Sequence, residues 1–248
     1  MINLKLMSGN LRKYKTIINI WILSTSLVVF TNNIYAQTAD EVVKKVLSNF
    51  EMVKDFSADM KLKIDISYLN APEKSGKIFF KIPNKTKIDI DGFSMLPKQG
   101  TGNFIAEVLK GDNTVIANGE EKIDGIDCIS IKVIPNNPKN DVAIMTMWVS
   151  LQNWTVIKTE SITKKSGSFI INLKYTKVEN KFMMPSQVKI NFSVPEFSLP
   201  KTMTGDFKDN KENKPKSKDG KTDGIVNIIY SNYIINKGIK DDVFKDKN

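Results

Sequence analysis

Strict alternation of apolar and polar residues from Phe56 to Tyr68 constrains the fold of this chain more than any other feature. The apolar residues of this run are Phe56, Ala58, Met60, Leu62, Ile64, Ile66 and Tyr68. Successive side chains of a β-strand point to opposite faces, so a period of two predicts a strand with one apolar and one polar face. A helix would distribute the same residues around its circumference, so this segment is predicted to be a long strand.

The same period of two recurs along most of the chain that follows. The segments that carry it are 78–82, 88–90, 114–117, 129–134, 145–151, 155–161, 169–175, 188–194 and 225–235. Short turn sequences such as Asn84-Lys85 and Gln152-Asn153 separate several of them, which is typical of antiparallel meanders. The pattern predicts an α+β protein with one broad apolar sheet face, which favours binding of an apolar ligand over catalysis.

Two helices are predicted beside the sheet. Thr38 and Glu41 have the spacing of a capping box, and an apolar stripe follows at three- and four-residue steps up to Val53. The second helix contains Phe104 and Leu109 and ends at Gly111. It is either a lid over an apolar cavity or a plug that fills the sheet, and the sequence leaves both open.

The first 36 residues are predicted to be a secretory signal peptide. A basic start without acids precedes the apolar run Ile17–Phe30, and the small residue Ala36 precedes a plausible cleavage point. The alternative is an uncleaved anchor, but a spanning helix needs roughly 20 apolar residues. We therefore expect cleavage after Ala36, export, and a mature chain of residues 37–248 that forms a single domain.

The charge of the expected mature chain comes from lysine alone. Residues 37–248 contain 33 lysines and 27 acids, a net charge of +6, and the only arginine is Arg12. Base readout in nucleic acids relies on bidentate arginine contacts, so nucleic-acid binding is not predicted. The lysines either attract anionic lipid headgroups or acidic partners, or simply keep the protein soluble.

The sequence lacks the groups that most enzymes use. It contains no histidine, which removes histidine bases and histidine metal sites. Cys128 lies in an apolar stretch and is predicted to be a buried structural thiol. Asp89 and Asp91 share the polar face of a strand, and two acids around a glycine at 124–127 are too few ligands for calcium. No enzymatic activity, cofactor or metal is predicted.

Residues 201–223 are rich in lysine, aspartate and asparagine and contain very few apolar residues. Such a segment cannot bury enough surface to offset its conformational entropy. We predict a disordered loop inserted between the last two strands, which is either a tolerated insertion or a charged docking arm.

Several stretches together resemble the LolA-like outer-membrane lipoprotein-sorting family. They are 39–50, 56–60, 76–85, 147–150 with 156–160, 184–188 and 232–244. The resemblance covers most of residues 38–245. It implies a half-open antiparallel β-barrel, a curved sheet whose hydrophobic concave face is covered by helices.

The resemblance also implies a function in the periplasm. Proteins of this family receive the acyl chains of lipoproteins at the inner membrane and pass them to an outer-membrane acceptor. The expected partners are therefore lipoprotein acyl chains or another lipid, an inner-membrane release complex and an outer-membrane acceptor. The family's carriers hold their lid with an arginine on an early strand, and Lys81, Lys85 and Lys87 stand in that region here.

The predicted lipid-binding residues are apolar side chains of the strands and of the second helix. They are Met60, Leu62, Ile64, Ile78, Phe80, Ile82, Ile88, Ile90, Phe104, Leu109, Met145, Met147 and Val149. Methionine suits an adaptable lining because its side chain is flexible. For each residue the alternative is an ordinary core position. Two rival functions stay open, namely an envelope interaction module with a filled core and an envelope enzyme that uses carboxylates or lysines.

Overall fold

The structure, a computed structural model, describes residues 38–66, 69–70, 72–90, 103–195 and 220–245. The helices are α1 (Ala39–Glu51) and α2 (Asn103–Lys110), and a short 3₁₀ helix spans Asp241–Phe244. The strands are β1 (Asp55–Ile66), β2 (Leu69–Asn70), β3 (Lys74–Lys81), β4 (Lys85–Asp89), β5 (Asn113–Ile123), β6 (Ile126–Pro135), β7 (Val142–Ser150), β8 (Val156–Thr163), β9 (Ser168–Val178), β10 (Phe182–Pro195) and β11 (Lys221–Ile235).

Helix α1 begins with the predicted capping box. The Glu41 backbone N–H donates to Thr38 Oγ1 at 3.3 Å, and the Thr38 N–H donates to Glu41 Oε2 at 3.3 Å. These bonds satisfy two of the donors that every helix start leaves unpaired. Val42 and Val46 on the apolar stripe are 0% and 1% exposed, so this stripe is the side of α1 that enters the core.

Helix α2 is short, and its end is closed by a side chain. The Asn113 amide donates to the backbone carbonyls of Val108 at 2.7 Å and of Gly111 at 2.8 Å. It thereby satisfies acceptors that the helix end would leave open. Ile105 and Leu109 are 2% and 5% exposed, so α2 also contributes an apolar face to the core.

All strands belong to one antiparallel open sheet in the order β4-β3-β1-β11-β10-β9-β8-β7-β6-β5, with β2 paired to β1. From β5 to β11 each strand pairs with the next, and β11 then pairs with β1. The first long strand and the last strand are thus neighbours in the middle of the sheet. The predicted α+β class and the antiparallel meander are confirmed, as a curved open sheet with two helices.

The register aligns one unbroken row of inward-facing residues across seven strands, because directly paired residues lie on the same face. The row consists of Ile64, Val226, Ile190, Ile171, Thr159, Met147 and Ile131. Each member is at most 4% exposed. Thr159 is the polar exception, and its hydroxyl has no hydrogen-bond partner within the described part of the chain. This row forms the centre of the hydrophobic core.

The last two strands are longer than the sequence pattern predicts. Strand β10 begins at Phe182 rather than near residue 188, and β11 begins at Lys221 rather than at residue 225. Residues 221–223 pair with residues 193–195 of β10, because backbone hydrogen bonds form whatever the side-chain polarity. These three residues of the predicted loop are therefore strand, and residues 201–219 lie outside the described residues.

The predicted signal peptide, residues 1–36, also lies outside the described residues. Among the helices that the structure describes, none combines the length and the hydropathy that crossing a membrane requires.

Candidate functional site

A cavity of about 120 Å³ is lined by side chains from both helices and from strands β1, β3, β4, β8, β9, β10 and β11. Its position along the sheet follows from the register. Phe56, near the start of β1, lies opposite Phe80 near the end of β3 and opposite Ile235 at the end of β11. Phe80 in turn lies opposite Thr86 of β4. The cavity therefore occupies the end of the sheet where β1 begins and β11 ends, and we call this region the cavity end.

Aromatic rings form one wall of the cavity. Phe56 lies between Phe80 and Tyr233, with ring centroids 5.4 and 5.6 Å away, and Tyr230 and Tyr233 are 6.3 Å apart. All of these ring pairs are tilted, and aromatic pairs with such spacing attract each other weakly. Rigid rings in tilted contact leave gaps that flexible aliphatic chains would fill.

A β-bulge places two of these rings on the same face of β11. Between the pairs Asp59–Ser231 and Ser57–Ile234 the register shifts, and Asn232 adopts a positive φ of 53°. The Asn232 amide donates to Asp59 Oδ2 at 2.7 Å, which holds the irregularity to β1. Tyr230 and Tyr233, three residues apart, would face opposite sides in a regular strand. Tyr230 faces inward by the regular alternation of β11, and the bulge brings Tyr233 to the same face.

The β7–β8 turn is bonded to helix α1 beside the cavity. The Asn49 amide donates to the backbone carbonyls of Asn153 at 2.9 Å and of Trp154 at 3.1 Å. The Lys45 ammonium lies 3.8 Å from the centre of the Trp154 ring. Trp154 has a φ of 59°, a conformation that costs a non-glycine residue roughly 1–2 kcal/mol. These contacts fix the edge of α1 that, with Val46, lines the cavity.

Three of the polar side chains that line the cavity are phenols, beside those of Asn49, Thr86, Lys110 and Thr155. The Tyr175 hydroxyl donates to the Val156 carbonyl at 3.0 Å, and the Tyr233 hydroxyl donates to the Pro185 carbonyl at 2.7 Å. Burial raises the pKa of Tyr175, Tyr230 and Tyr233 above the ordinary tyrosine value. The phenols therefore stay neutral at every pH at which the protein is expected to work.

The solvent side of the cavity is marked by its exposed lining residues. Ile82 is 44% exposed, and Pro83, Thr86 and Lys110 are also exposed. The ammonium of Lys110 is the charged group of the lining. The mouth therefore lies at the tip of the β3–β4 hairpin and at the end of α2.

The volume sets what the cavity holds without moving. One water molecule needs roughly 10–15 Å³ on such a measure, and an engineered apolar cavity of roughly 150 Å³ in another protein binds benzene. At about 120 Å³ the cavity accepts a short stretch of hydrocarbon. A complete acyl chain requires the walls to separate.

Three of the thirteen predicted lipid-binding residues, Ile78, Phe80 and Ile82, line this cavity. The other ten do not line it, and they are Met60, Leu62, Ile64, Ile88, Ile90, Phe104, Leu109, Met145, Met147 and Val149. Ile88 and Phe104 are half-buried against the core, and the remaining eight are 0–6% exposed. Met60, Leu62 and Ile64 have the expected facing, and Met60 pairs directly with the lining residue Tyr230, but none of the three lines the cavity. Their contact with a ligand stays a prediction.

Sequence reasoning missed much of the lining. The residues that it did not single out as site residues include Val46, Phe50, Phe56, Trp154, Tyr175, Met183, Val188, Tyr230 and Tyr233. The α1 stripe was visible as an apolar helix face, and Tyr175 continues the apolar face of β9. Nothing in the sequence indicated the bulge that brings Tyr233 inward.

Lys81, Lys85 and Lys87 of the β3–β4 hairpin bind the C-terminal segment. Asp241 Oδ1 lies 2.7 Å from the Lys81 ammonium, and Asp241 Oδ2 lies 2.9 Å from the Lys85 ammonium. Hydrogen bonds from these two lysines lower the pKa of Asp241 to about 2. Lys87 donates to the carbonyl of Lys245 at 2.8 Å. The contacts hold the segment around the 3₁₀ helix against the β3–β4 hairpin.

The thiol of Cys128 and the carboxylates of the 124–127 turn do not line the cavity. Cys128 is 0% exposed, and burial raises the pKa of its thiol, so its predicted burial is confirmed. Asp124 and Gly125 form the predicted turn, with positive φ values of 51° and 82°. Within the described ranges, no three histidine, cysteine, aspartate or glutamate side chains come together as a metal site would require.

Comparisons with known proteins find similar structures but no similar sequences. No protein-family model matches the sequence, and no curated protein matches it. The structure aligns with that of a DUF1329 family protein from Desulfovibrio piger with a TM-score of 0.55 and 12% identity, covering 85% of this chain and 98% of the other. It aligns with a LolA superfamily protein from Nitrosomonas europaea with a TM-score of 0.51 and 13% identity, covering 85% of this chain and 99% of the other.

The fold is LolA-like. The resemblance inferred from sequence is thus confirmed for the fold, because both alignments extend over nearly the whole of the other proteins. At 12–13% identity the alignments establish a shared architecture, but they do not assign functional roles to residues of this chain. The function has to be argued from the cavity of this chain.

Proposed function

We propose that this protein is an exported carrier that holds acyl chains of lipids or lipoproteins in the cavity and releases them to an acceptor. The apolar cavity, lined by both helices and by one end of the sheet, carries the proposal. In this proposal α1 and α2 cover the concave face of the sheet. The LolA-like fold supports it as an analogy of architecture.

The physical chemistry of the lining suits a hydrocarbon chain. Each methylene that leaves water contributes roughly 0.8 kcal/mol, so even four or five carbons in the cavity gain several kcal/mol. A longer chain gains more only if the helices move, and that movement subtracts from the affinity. A carrier needs this balance, because a ligand that is held too tightly is not passed on.

Two features of the wall are suited to such movement. Met183 and Met184 line the cavity, and methionine side chains adapt to different shapes at little cost. The mouth is formed by the exposed hairpin tip at Ile82 and Pro83 rather than by buried core. The wall is therefore most adaptable where a chain would enter.

The proposed location is the periplasm, with the signal peptide removed after Ala36. Loading would take place at an inner-membrane release complex and unloading at an outer-membrane acceptor. The lysines of the expected mature chain favour attraction to anionic headgroups at either membrane. No catalytic step is proposed.

The proposal is tested by lipid extraction and by displacement of a fluorophore. Protein purified after export is extracted and its lipids are identified by mass spectrometry, and binding of the neutral fluorophore N-phenylnaphthylamine is titrated. Ala106→Phe places a ring in the cavity and is expected to weaken fluorophore binding by about tenfold or more, the equivalent of roughly 1.4 kcal/mol. Ala117→Phe, the same change at an exposed position of β5, is expected to leave binding unchanged.

A protein that carries no lipid and does not bind the fluorophore would refute the proposal. The alternative, an envelope interaction module with a filled core, has one observation in its favour. Met145, Met147 and Val149 are each 0% exposed, so the β6–β7 region of the sheet is packed solid. Under this alternative neither substitution would affect fluorophore binding.

A further inference from the structure

All three tyrosines in the described part of the chain, Tyr175, Tyr230 and Tyr233, line the cavity. An apolar cavity that only excluded water from hydrocarbon would be served as well by phenylalanine, which brings no polar atom to satisfy. A tyrosine on this wall therefore needs a partner for its hydroxyl, either within the protein or in the ligand.

Two of the three hydroxyl protons are already used within the protein. Tyr175 donates to the Val156 carbonyl and Tyr233 donates to the Pro185 carbonyl. Each of these phenol oxygens keeps lone pairs, so each still accepts a hydrogen bond. Toward the cavity, Tyr175 and Tyr233 thus present acceptors and no free donor.

Tyr230 differs from the other two. It is 7% exposed, and its hydroxyl has no hydrogen-bond partner among the residues that the structure describes. Its proton is held firmly, since burial alone raises the pKa of the phenol. Unlike the enclosed Thr159 hydroxyl, the Tyr230 hydroxyl is not among the fully enclosed side-chain atoms that lack a partner in the described part of the chain. A donor on the cavity wall that no described residue satisfies is available to a ligand.

The strand pairing fixes the position of Tyr230 on the cavity wall. It lies opposite Met60 in the β1–β11 pairing, beside the Tyr233 ring. The bulge at Asn232 follows directly after it and is held to β1 by the bond to Asp59. The bulge therefore brings the Tyr233 ring beside Tyr230, whose own facing follows the regular alternation of β11.

The charge of the lining limits the ligand group further. The ammonium of Lys110 stands at the exposed mouth. A buried charge is strongly unfavourable unless it is paired, so a carboxylate would be drawn to the Lys110 ammonium rather than to an uncharged phenol. A neutral acceptor beside Tyr230 avoids that cost and satisfies the free donor.

We propose that the cavity binds an acyl chain together with the neutral ester or amide carbonyl at its head, and that the Tyr230 hydroxyl donates the hydrogen bond that recognises this carbonyl. The inference rests on the proposed carrier function and deepens it. The ligand class is acyl ester or acyl amide rather than free fatty acid or alkane. An amide N–H has a second match, because the oxygens of Tyr175 and Tyr233 accept.

The test compares three competitors of similar length, namely methyl decanoate, sodium decanoate and undecane, in displacing N-phenylnaphthylamine from the full mature chain. The wild-type protein is expected to bind methyl decanoate roughly 3- to 10-fold more tightly than Tyr230→Phe does, the effect of one net hydrogen bond. It is expected to bind decanoate more weakly than the ester. Undecane offers no acceptor, so it should bind the wild-type protein and Tyr230→Phe equally.

Tyr175→Phe is the matched control, because it removes a hydroxyl that already has a partner. This variant should lower the melting temperature. The control for binding is Thr159→Val, which removes a hydroxyl away from the cavity lining and should leave ester binding unchanged. Tyr230→Phe should leave the melting temperature of the lipid-free protein unchanged or raise it, since only an unpaired polar group is lost.

Each way of failing has a separate meaning. If methyl decanoate binds equally to the wild-type protein and to Tyr230→Phe, the role of Tyr230 is refuted while the carrier function stands. If Tyr230→Phe lowers the melting temperature as much as Tyr175→Phe does, the hydroxyl has a structural partner and the inference is wrong. If the fluorophore and all three competitors fail to bind, the carrier function is refuted and the inference is refuted with it.

Discussion

The cavity end and the β6–β7 region of the same sheet carry the same alternating sequence pattern but pack in different ways. In the β6–β7 region Ile131, Val133, Met145 and Met147 are each 0% exposed, and we call these four residues the packed region. At the cavity end the corresponding positions surround a cavity of about 120 Å³. Alternation therefore determines which side chains point inward, but it does not determine whether those side chains fill the space between them.

The difference is one of side-chain type and of register. Aliphatic side chains in directly paired positions interlock, as the unbroken row through Met147 demonstrates. At the cavity end tilted rings replace them, and the rows are broken by register shifts between Ser57 and Asp59 and between Pro185 and Gln187. Space remains where rigid rings face rows that no longer align.

The largest expected effect separates the two regions by removing one methionine side chain from each. Met147→Ala in the packed region should lower the free energy of unfolding by about 2–5 kcal/mol, because it creates a new cavity. Met183→Ala should cost at most about 1 kcal/mol, because its side chain is half-buried and already borders open space. Urea unfolding of both variants measures the difference, and equal losses would contradict the comparison.

The second prediction uses the phenols, which in the described residues occur only at the cavity end. Above a pH of about 10 the unfolded chain loses tyrosine protons that the folded protein retains, since burial raises the pKa of all three phenols. The stability that is present below this pH is then lost as the pH rises. Each tyrosine contributes up to about 1.4 kcal/mol per pH unit.

Unfolding free energies measured between pH 8 and pH 11, together with tyrosinate absorbance, test this expectation. Tyr230→Phe should reduce the slope by about one third, whereas Met147→Ala should lower stability by the same amount at every pH. In the folded protein, a rise in tyrosinate absorbance around a pH of about 10 that exceeds what the fourth tyrosine of the expected mature chain, Tyr68, can produce would disprove burial of the phenols.

The smallest expected effect concerns the rim of the cavity. Asp241→Asn removes the ion pairs with Lys81 and Lys85 that hold the C-terminal segment to the β3–β4 hairpin. Exposed ion pairs contribute little to global stability, so unfolding should hardly change. Hydrogen exchange should become faster at the hairpin tip and at residues 239–245, and should stay the same in β6 and β7.

The pH dependence gives the matching check on the same contact. Because the pKa of Asp241 is lowered to about 2, the contact persists in the folded protein well below the ordinary aspartate value and is lost only as the pH falls toward 2. Because the pKa of Asp241 is lower in the folded protein than in the unfolded chain, its contribution to stability is present above the ordinary aspartate pKa and is lost as the pH falls toward 2. Titration of Asp241 by NMR at an unperturbed pKa would show that the segment is not held.

The sequence predicted the architecture more completely than the site. The capping box at Thr38, the strand from Phe56 and the short helix ending before Gly111 follow from local patterns, and each is present. For the site, Ile78, Phe80 and Ile82 lie on the cavity wall. Met145 and Met147 followed the same rule of facing and lie in the packed region instead, because facing does not reveal the depth of packing.

Local sequence by itself determined the secondary structure, the face on which each apolar side chain lies and the likeness to a known fold, because periodicity and capping act over a few residues. Tertiary structure alone decided where the apolar face stays hollow. Phe56, Trp154, Tyr175 and Tyr230 meet from four distant parts of the chain, and the gap between them depends on ring orientation and on bulges that shift the register. Whether side chains fill a space is a property of three-dimensional distance, which no short segment of sequence specifies.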